Sequence, residues 1–174
     1  SEQLAGLIII PSSTAIAPAP PPTDPETTDP AVFSFVDSAL AELGRRADRF
    51  SVTLAMRTGL ASFAALERAL RAADCPWFGV DLDPVALLRD EWHADEVFSR
   101  LGMLIRHLRV RDAVGGAGRR TRPAIVGQGD TDWPELLARL DAAGYAGWMT
   151  VDPTELPDRG SAAVAAAKVV RATK

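Results

Sequence analysis

Short apolar segments alternate with amphipathic segments along most of the chain, and this alternation restricts the fold more than any other feature. The apolar segments predict strands at Leu4–Ile10, Phe50–Met56, Trp77–Leu82, Leu104–Val110 and Trp148–Val151. Between them, apolar residues recur at helical spacing. Strands that alternate with helices form parallel sheets, and such strands are apolar because both faces of the sheet are covered. The sequence therefore predicts an α/β fold with parallel strands.

Capping residues mark the predicted helices. Asp29 and Pro30 begin the first helix, since Asp is a common N-cap and Pro is favoured at the first helical position. Pro84 is expected to end the third strand. The other predicted helices are Phe63–Ala73, Asp95–Gly102, a helix that begins at Asp132 and is closed by Gly144, and a last helix from Ser161, its predicted cap, to Thr173.

The fourth strand leads from an apolar start into a run of basic residues. His107, Arg109 and Arg111 share one face of the segment Leu104–Asp112, because side chains alternate across a strand. Charged side chains are rarely buried unless they are paired or functional. This pattern is typical of a core that opens into a polar site, as at the C-terminal ends of barrel strands.

Other strands also end in charge. Arg57 ends the second strand, Asp83 follows the third and Asp152 follows the last. Because parallel strands end on the same side of a sheet, these residues together with Arg109 and Arg111 predict one site. No GxGxxG motif follows a strand and no P-loop is present, which argues against nicotinamide and nucleotide binding of those types.

Two loops have an unusual composition. Residues 12–30 are rich in Pro, Ser, Thr and Ala, and predict either a linker or a loop over a site. Gly115–Arg120 is rich in Gly and Arg, and predicts a flexible loop, with a phosphate cradle as the alternative.

Composition and charge limit the classes of function. The 174 residues provide one domain, and the net charge of −4 argues against general nucleic-acid binding. Cys75 is the single cysteine, so no intrachain disulfide forms and a reducing, cytoplasmic location is expected. The longest apolar run, Leu7–Ile10, is too short to span a membrane, and Ser1–Gln3 lacks the basic start of a signal peptide.

Three motifs occur in an order that resembles the xylose isomerase-like sugar phosphate isomerases and epimerases. They are Arg106–Asp112, then Val126–Trp133 with its Gly-Gln-Gly-Asp sequence, then Gly144–Trp148. The resemblance covers residues 4–174 as one partial domain. It implies about the fourth to eighth βα units of a TIM barrel, with the first three units missing, since the complete fold has ~250 residues.

Members of that family hold a divalent metal with Glu, Asp, His and Glu at the ends of strands five to eight. The resemblance places Arg57, Asp83, Arg109 and Asp152 at these positions. Only Asp83 matches, and Asp152 is a shortened carboxylate. A guanidinium stays protonated and has no lone pair to offer a metal. The family often has a further His where this chain has Ala86. The sequence therefore predicts neither a metal nor another cofactor.

Three interpretations of these residues stay open. Arg57 and Arg109 pair with Asp83 and Asp152 and fill the former metal site; or Arg57, Arg109 and Arg111 bind an anionic ligand such as a sugar phosphate; or catalysis survives through Asp83, Asp152 and His107. His107 is either a hydrogen-bonded core histidine or a catalytic acid and base.

Three functions follow from these interpretations. The first is a binding or structural module that has lost its metal. The second is an active isomerase or epimerase that uses the remaining carboxylates. The third is a DNA repair activity like that of endonuclease IV, which would need more His ligands than His93 and His107. About five of the eight strands of a barrel are present, so the open sheet edges predict self-association. No membrane or nucleic-acid partner is expected.

Overall fold

The computed structural model describes residues 7–10, 30–58 and 63–172. The chain divides into two compact units, Ser1–Gly79 and Val80–Lys174, and each is described by itself. A single domain over residues 1–174 stays a prediction. The Pro-rich loop predicted at residues 12–30 lies outside the described residues up to residue 29, and Pro30 is the first residue of a helix.

The first unit contains two βα repeats. Strand β1 (Leu7–Ile10) precedes helix α1 (Pro30–Phe50), and strand β2 (Thr53–Arg57) precedes helix α2 (Phe63–Ala73). The two strands pair in parallel, as predicted. Helices α1 and α2 approach closely at Gly44, where a Cβ atom would lie 2.2 Å from the carbonyl oxygen of Ala73.

The second unit is built around a central strand. Strand β3 (Phe78–Leu82) begins at the boundary and is followed by α3 (Pro84–Asp90), α4 (Ala94–Leu101), a 3-10 turn (Gly102–Leu104), β4 (Ile105–Val110), β5 (Asp112–Gly116), β6 (Arg120–Ala124), α5 (Trp133–Ala142), β7 (Trp148–Val151) and α6 (Arg159–Ala172). Strand β4 pairs in parallel with β3 and with β7, which is an edge strand. The carboxyl ends of these three strands therefore meet.

Alternation along β4 separates a core from a polar face. Leu108 and Val110 are buried on one face, where Leu82 of β3 is also buried. His107 and Arg109 point to the other face. In the part of the chain that the structure describes, no helix is long and apolar enough to cross a membrane.

The five predicted strands are confirmed; residues 4–6 of the first prediction lie outside the described residues, and the other ends shift by up to three residues. Helix α3 was missed because Pro84 was taken only as a strand end; Pro84 is the first residue of this helix and Asp83 is its N-cap. Helix α6 begins at Arg159, and the Asp158 carboxylate accepts from the backbone N–H of Ser161, so the predicted Ser161 cap is wrong.

The Gly- and Arg-rich segment is the tip of a β-hairpin, so the prediction of a flexible loop is wrong. Five residue pairs join β5 to β6, from Asp112 opposite Ala124 to Gly116 opposite Arg120. Both strands pack against α3. Glycine and arginine have little preference for strands, so this packing and the ladder, rather than local propensity, hold the hairpin.

Candidate functional site

Seven side chains on three neighbouring strand ends form one polar cluster in the second unit. By alternation they lie on a single face of the sheet. They are Asp81 in β3 and Asp83 directly after it, His107 and Arg109 in β4 and Arg111 directly after it, and Thr150 in β7 and Asp152 directly after it. The register sets Asp81 opposite His107 and Arg109 opposite Thr150. The basic residues of the central strand are thus flanked by acidic residues from both neighbouring strands.

Arg109 bridges the two outer strands. Its Nε donates to Asp81 Oδ2 at 2.8 Å, and its Nη1 donates to Asp152 Oδ2 at 3.3 Å. The Asp81 side chain is completely buried, and those of Arg109 and Asp152 are 18% and 17% exposed. The predicted approach of Arg109 to Asp152 is confirmed.

Arg111 forms a two-bond pair with Asp83. Its Nε and Nη2 donate to the two carboxylate oxygens at 2.9 and 2.7 Å. Asp83 also accepts from the backbone N–H of Val85 at 3.2 Å, which caps α3. Burial alone would lower the pKa of Arg111, but the hydrogen bonds and charge of Asp83, with the charge of Glu155, outweigh burial and raise it. This arginine therefore stays charged.

His107 is buried, with only 1% of its side chain exposed, and both of its ring nitrogens are engaged. Nδ1 lies 2.5 Å from Asp81 Oδ1, and Nε2 lies 2.8 Å from Thr150 Oγ1. The Asp81 carboxylate can only accept, so Nδ1 carries a proton; in the neutral ring the Thr150 hydroxyl then donates to Nε2. This is the arrangement expected of a hydrogen-bonded core histidine.

Asp152 is held by its own turn as well as by arginine. The hydroxyl of Thr154 donates to Asp152 Oδ1 at 2.6 Å, and its backbone N–H donates to the same oxygen at 3.3 Å. Burial alone would raise the pKa of Asp152, but the Thr154 hydrogen bonds and the charges of Arg109 and Arg111 outweigh it and lower the pKa. Asp152 is therefore ionised near neutral pH.

The sequence prediction was incomplete for this cluster. Arg57 is the last residue of β2 and is described with the first unit. Asp83 is paired by Arg111, a pair that was not predicted. Asp81 and Thr150 were missed, although each lies two residues before a predicted site residue, on the same face of its strand. The alternation that singled out His107 would have found both.

The cluster has little room for a ligand and few side-chain atoms available to coordinate a metal ion. Among the described residues, no group of three or more His, Cys, Asp or Glu side chains could hold a metal ion. In the same part of the chain, every buried side-chain nitrogen and oxygen has a hydrogen-bond partner. A cavity beside Arg111, also lined by Asp152 and Glu155, has a volume of about 10 Å³. That is room for about one water molecule.

A second buried carboxylate organises the Gly-Gln-Gly-Asp loop. Asp112 is 3% exposed and accepts hydrogen bonds from the backbone N–H groups of Gly127, Gly129 and Thr131 and from the indole of Trp133. A Cβ atom at Gly129 would lie 2.2 Å from Asp112 Oδ1. The loop therefore needs glycine there because the backbone closes around the carboxylate. The sequence prediction missed this role, although Asp112 stands just two residues after the end of the central strand.

The Gly-Tyr-Ala-Gly motif is likewise a folding element. The Tyr145 hydroxyl donates to the carbonyl oxygen of Trp148 at 2.5 Å. A Cβ atom at Gly147 would lie 2.7 Å from the Tyr145 ring and 2.6 Å from the carbonyl oxygen of Arg106. Burial first, and then the charge of Asp81, raise the pKa of Tyr145 well above its usual value.

Parallel strands joined by helices, with polar residues at the carboxyl ends of the strands, are typical of α/β proteins, the β/α barrels among them. The chain belongs to the xylose isomerase-like TIM barrel family, whose model matches residues 7–173. The fold class inferred from the motifs is confirmed. A search of curated protein sequences gives no match.

Several solved structures share the fold at low sequence identity. A xylose isomerase domain protein from Planctomyces limnophilus matches with a TM-score of 0.70 and 18% identity, over 86% of this chain and 54% of that one. A xylose isomerase-like TIM barrel protein from Mycobacterium smegmatis, in complex with magnesium, matches with a TM-score of 0.71 and 13% identity, over 97% and 61%. The 3-keto-D-glucoside 4-epimerase of E. coli matches with a TM-score of 0.69 and 15% identity, over 94% and 63%. The chain thus spans less than two thirds of these proteins.

Proposed function

We propose that this chain is a family member in which ion pairs have replaced the divalent metal, and that it acts as a binding or structural module. The observation that supports the proposal is that Arg109 donates to Asp81 and Asp152. The motif resemblance assigns Arg109 to the position of the family's metal-binding His. A divalent cation there would meet a guanidinium instead of a lone pair. We place the protein in the cytoplasm, since Cys75 forms no intrachain disulfide.

The remaining carboxylates do not fit a metal. A catalytic metal ion needs about three protein ligands around an open position. Asp83 already accepts from Arg111 and from a backbone N–H, and Asp152 accepts from Arg109 and Thr154. Coordination would require both arginines to leave. Their positive charges would then remain close to the cation.

An isomerase or epimerase that works without a metal has less support. Its acid and base would be Asp83, Asp152 and His107. Both His107 nitrogens are used inside the protein, and the nearby cavity holds about one water. An anion-binding site at Arg109 and Arg111 meets the same difficulty, because a sugar phosphate would have to displace carboxylates that already neutralise both guanidinium groups. DNA repair like that of endonuclease IV has the least support, since the chain has two His residues.

Metal analysis tests the proposal directly. The purified protein is dialysed against zinc, manganese or cobalt, then against metal-free buffer, and the bound metal is measured by elemental analysis. We expect no stoichiometric metal, and a melting temperature that a chelator does not change. One metal per chain that is lost in Asp83→Asn and kept in the control Asp90→Asn would refute the proposal. Asp90 suits the control because its ion-pair partner, Arg89, is not one of the seven cluster residues.

A further inference from the structure

The β5–β6 hairpin carries three arginines that the site does not use. Arg119 lies in the turn, and Arg120 and Arg122 lie on β6; all three are exposed. We call these three residues the arginine hairpin. Arg120 lies opposite Gly116, and Arg122 lies opposite Val114. By alternation the two arginines share one face of the ribbon, and the residues opposite them are small and uncharged.

The arginine hairpin is unpaired in the part of the chain that the structure describes. None of the ion pairs found among residues 7–10, 30–58 and 63–172 involves Arg119, Arg120 or Arg122. By contrast, Arg109 and Arg111 are each held by two carboxylates. Asp130, which contacts the hairpin, accepts a hydrogen bond from the backbone N–H of Gly115. The hairpin thus carries three positive charges without an ion pair among the described residues, as does helix α6 with Arg159, Lys168 and Arg171. On the hairpin the three arginines lie within four consecutive positions.

We propose that the arginine hairpin docks an extended acidic segment of a partner protein. Arg120 and Arg122 are two residues apart on a strand, which sets them about 7 Å apart. In an extended peptide, side chains on one face repeat at the same distance, so acidic residues at alternate positions match both arginines. Guanidinium groups pair with carboxylates through two parallel hydrogen bonds. This proposal rests on the proposed function in one respect: it names a partner for the binding module. Binding of an acidic segment to the hairpin can be measured whether or not a metal is bound at the strand ends.

The charge of the whole chain favours a short acidic segment over nucleic acid. The net charge is −4, so a long polyanion that extends beyond the hairpin meets overall repulsion. A short segment contacts only the arginines. The hairpin is also preformed, because five residue pairs and its packing on α3 hold it before a partner arrives. Little ordering cost is therefore expected on the protein side.

Fluorescence anisotropy with a labelled peptide of alternating Glu and Thr tests the docking. The test variant is Arg119→Asn/Arg120→Gln/Arg122→Gln; Asn is used at residue 119 because its φ is 59°, a conformation that Asn tolerates. The control variant, Arg45→Gln/Arg46→Gln/Arg49→Gln, changes the net charge equally on α1. We expect the hairpin variant to weaken binding about tenfold or more and the control variant to leave it nearly unchanged. Circular dichroism checks that both variants are folded.

Three results would overturn the proposal. They are no binding of the peptide by the natural chain, equal weakening by the two triple variants, and tighter binding of a single-stranded oligonucleotide of the same length. The first two would show that the hairpin is not a specific docking surface, and the third would show that its partner is nucleic acid. Metal content plays no part in this assay, so its failure and the failure of the metal-replacement proposal are distinguishable.

Discussion

Removing Arg109 should destabilise the protein far more than removing a surface arginine. In Arg109→Ala, the completely buried Asp81 loses its ion pair with Arg109 and keeps its contact with His107, and Asp152 loses its contact with Arg109. Breaking a buried ion pair from one side costs about 3–5 kcal/mol. Arg109 is 18% exposed, so water reaches part of the space and the lower end, about 3 kcal/mol, is expected.

Arg45→Ala is the matched control. Arg45 pairs with Glu42, but the two side chains are 68% and 42% exposed. Exposed pairs contribute about 0.2–1 kcal/mol. Arg109→Ala breaks two ion pairs and Arg45→Ala breaks one. Because an exposed pair contributes at most about 1 kcal/mol, a larger difference between the two variants reports the burial of Arg109 and Asp81. Urea titrations followed by tryptophan fluorescence give the free energy of unfolding of each variant.

Repeating Arg109→Ala in a variant that lacks the Asp81 carboxylate separates the contribution of that ion pair from the contribution of packing. Asp81→Asn removes the buried carboxylate that Arg109→Ala would otherwise leave without its arginine. Arg109→Ala should therefore lower the free energy of unfolding much less in the Asp81→Asn background than in the natural chain. Equal costs in the two backgrounds would mean that Arg109 stabilises the protein through packing and its contact with Asp152, and not through Asp81. Equal, small losses for Arg109→Ala and Arg45→Ala would refute the claim that Arg109 is a buried ion-pair partner.

Three further outcomes are expected. Gly129→Ala should destabilise the protein by several kcal/mol, because its Cβ would overlap the Asp112 carboxylate. The control is Gly116→Ala, whose Cβ would lie 3.5 Å from its nearest neighbour. In the same urea titration, this control should lower the free energy of unfolding by about 1 kcal/mol or less. Tyr145 is the single tyrosine, and its pKa is raised in the folded protein. The stability that this shift contributes is present below pH 10 and is lost as the pH rises through the folded-state pKa. The absorbance of the tyrosinate should therefore appear at higher pH in the folded protein than in urea. Strand β7 is an edge strand with Trp148 65% exposed, so light scattering should detect concentration-dependent association that Trp148→Lys reduces, and a strict monomer would contradict this.

Alternation and capping residues predicted most of the fold, because they depend on local chemistry. The β5–β6 hairpin was missed since its glycines and arginines favour a loop, and contacts with α3 decide the outcome. In the site, charge at the strand ends identified Arg109, Arg111, Asp83 and Asp152. The pairing of Arg111 with Asp83 was not predictable, because it depends on strand register, which is set by contacts distant in sequence.

The Asp112 carboxylate has a consequence for how motif matches are interpreted in this family. The Gly-Gln-Gly-Asp segment is folded by Asp112 through hydrogen bonds that include neither Arg109 nor Asp83. A substitution at the strand ends can therefore change the chemistry and leave the loop intact. The loop motif identifies the scaffold, and the reaction must be inferred separately from the strand-end residues.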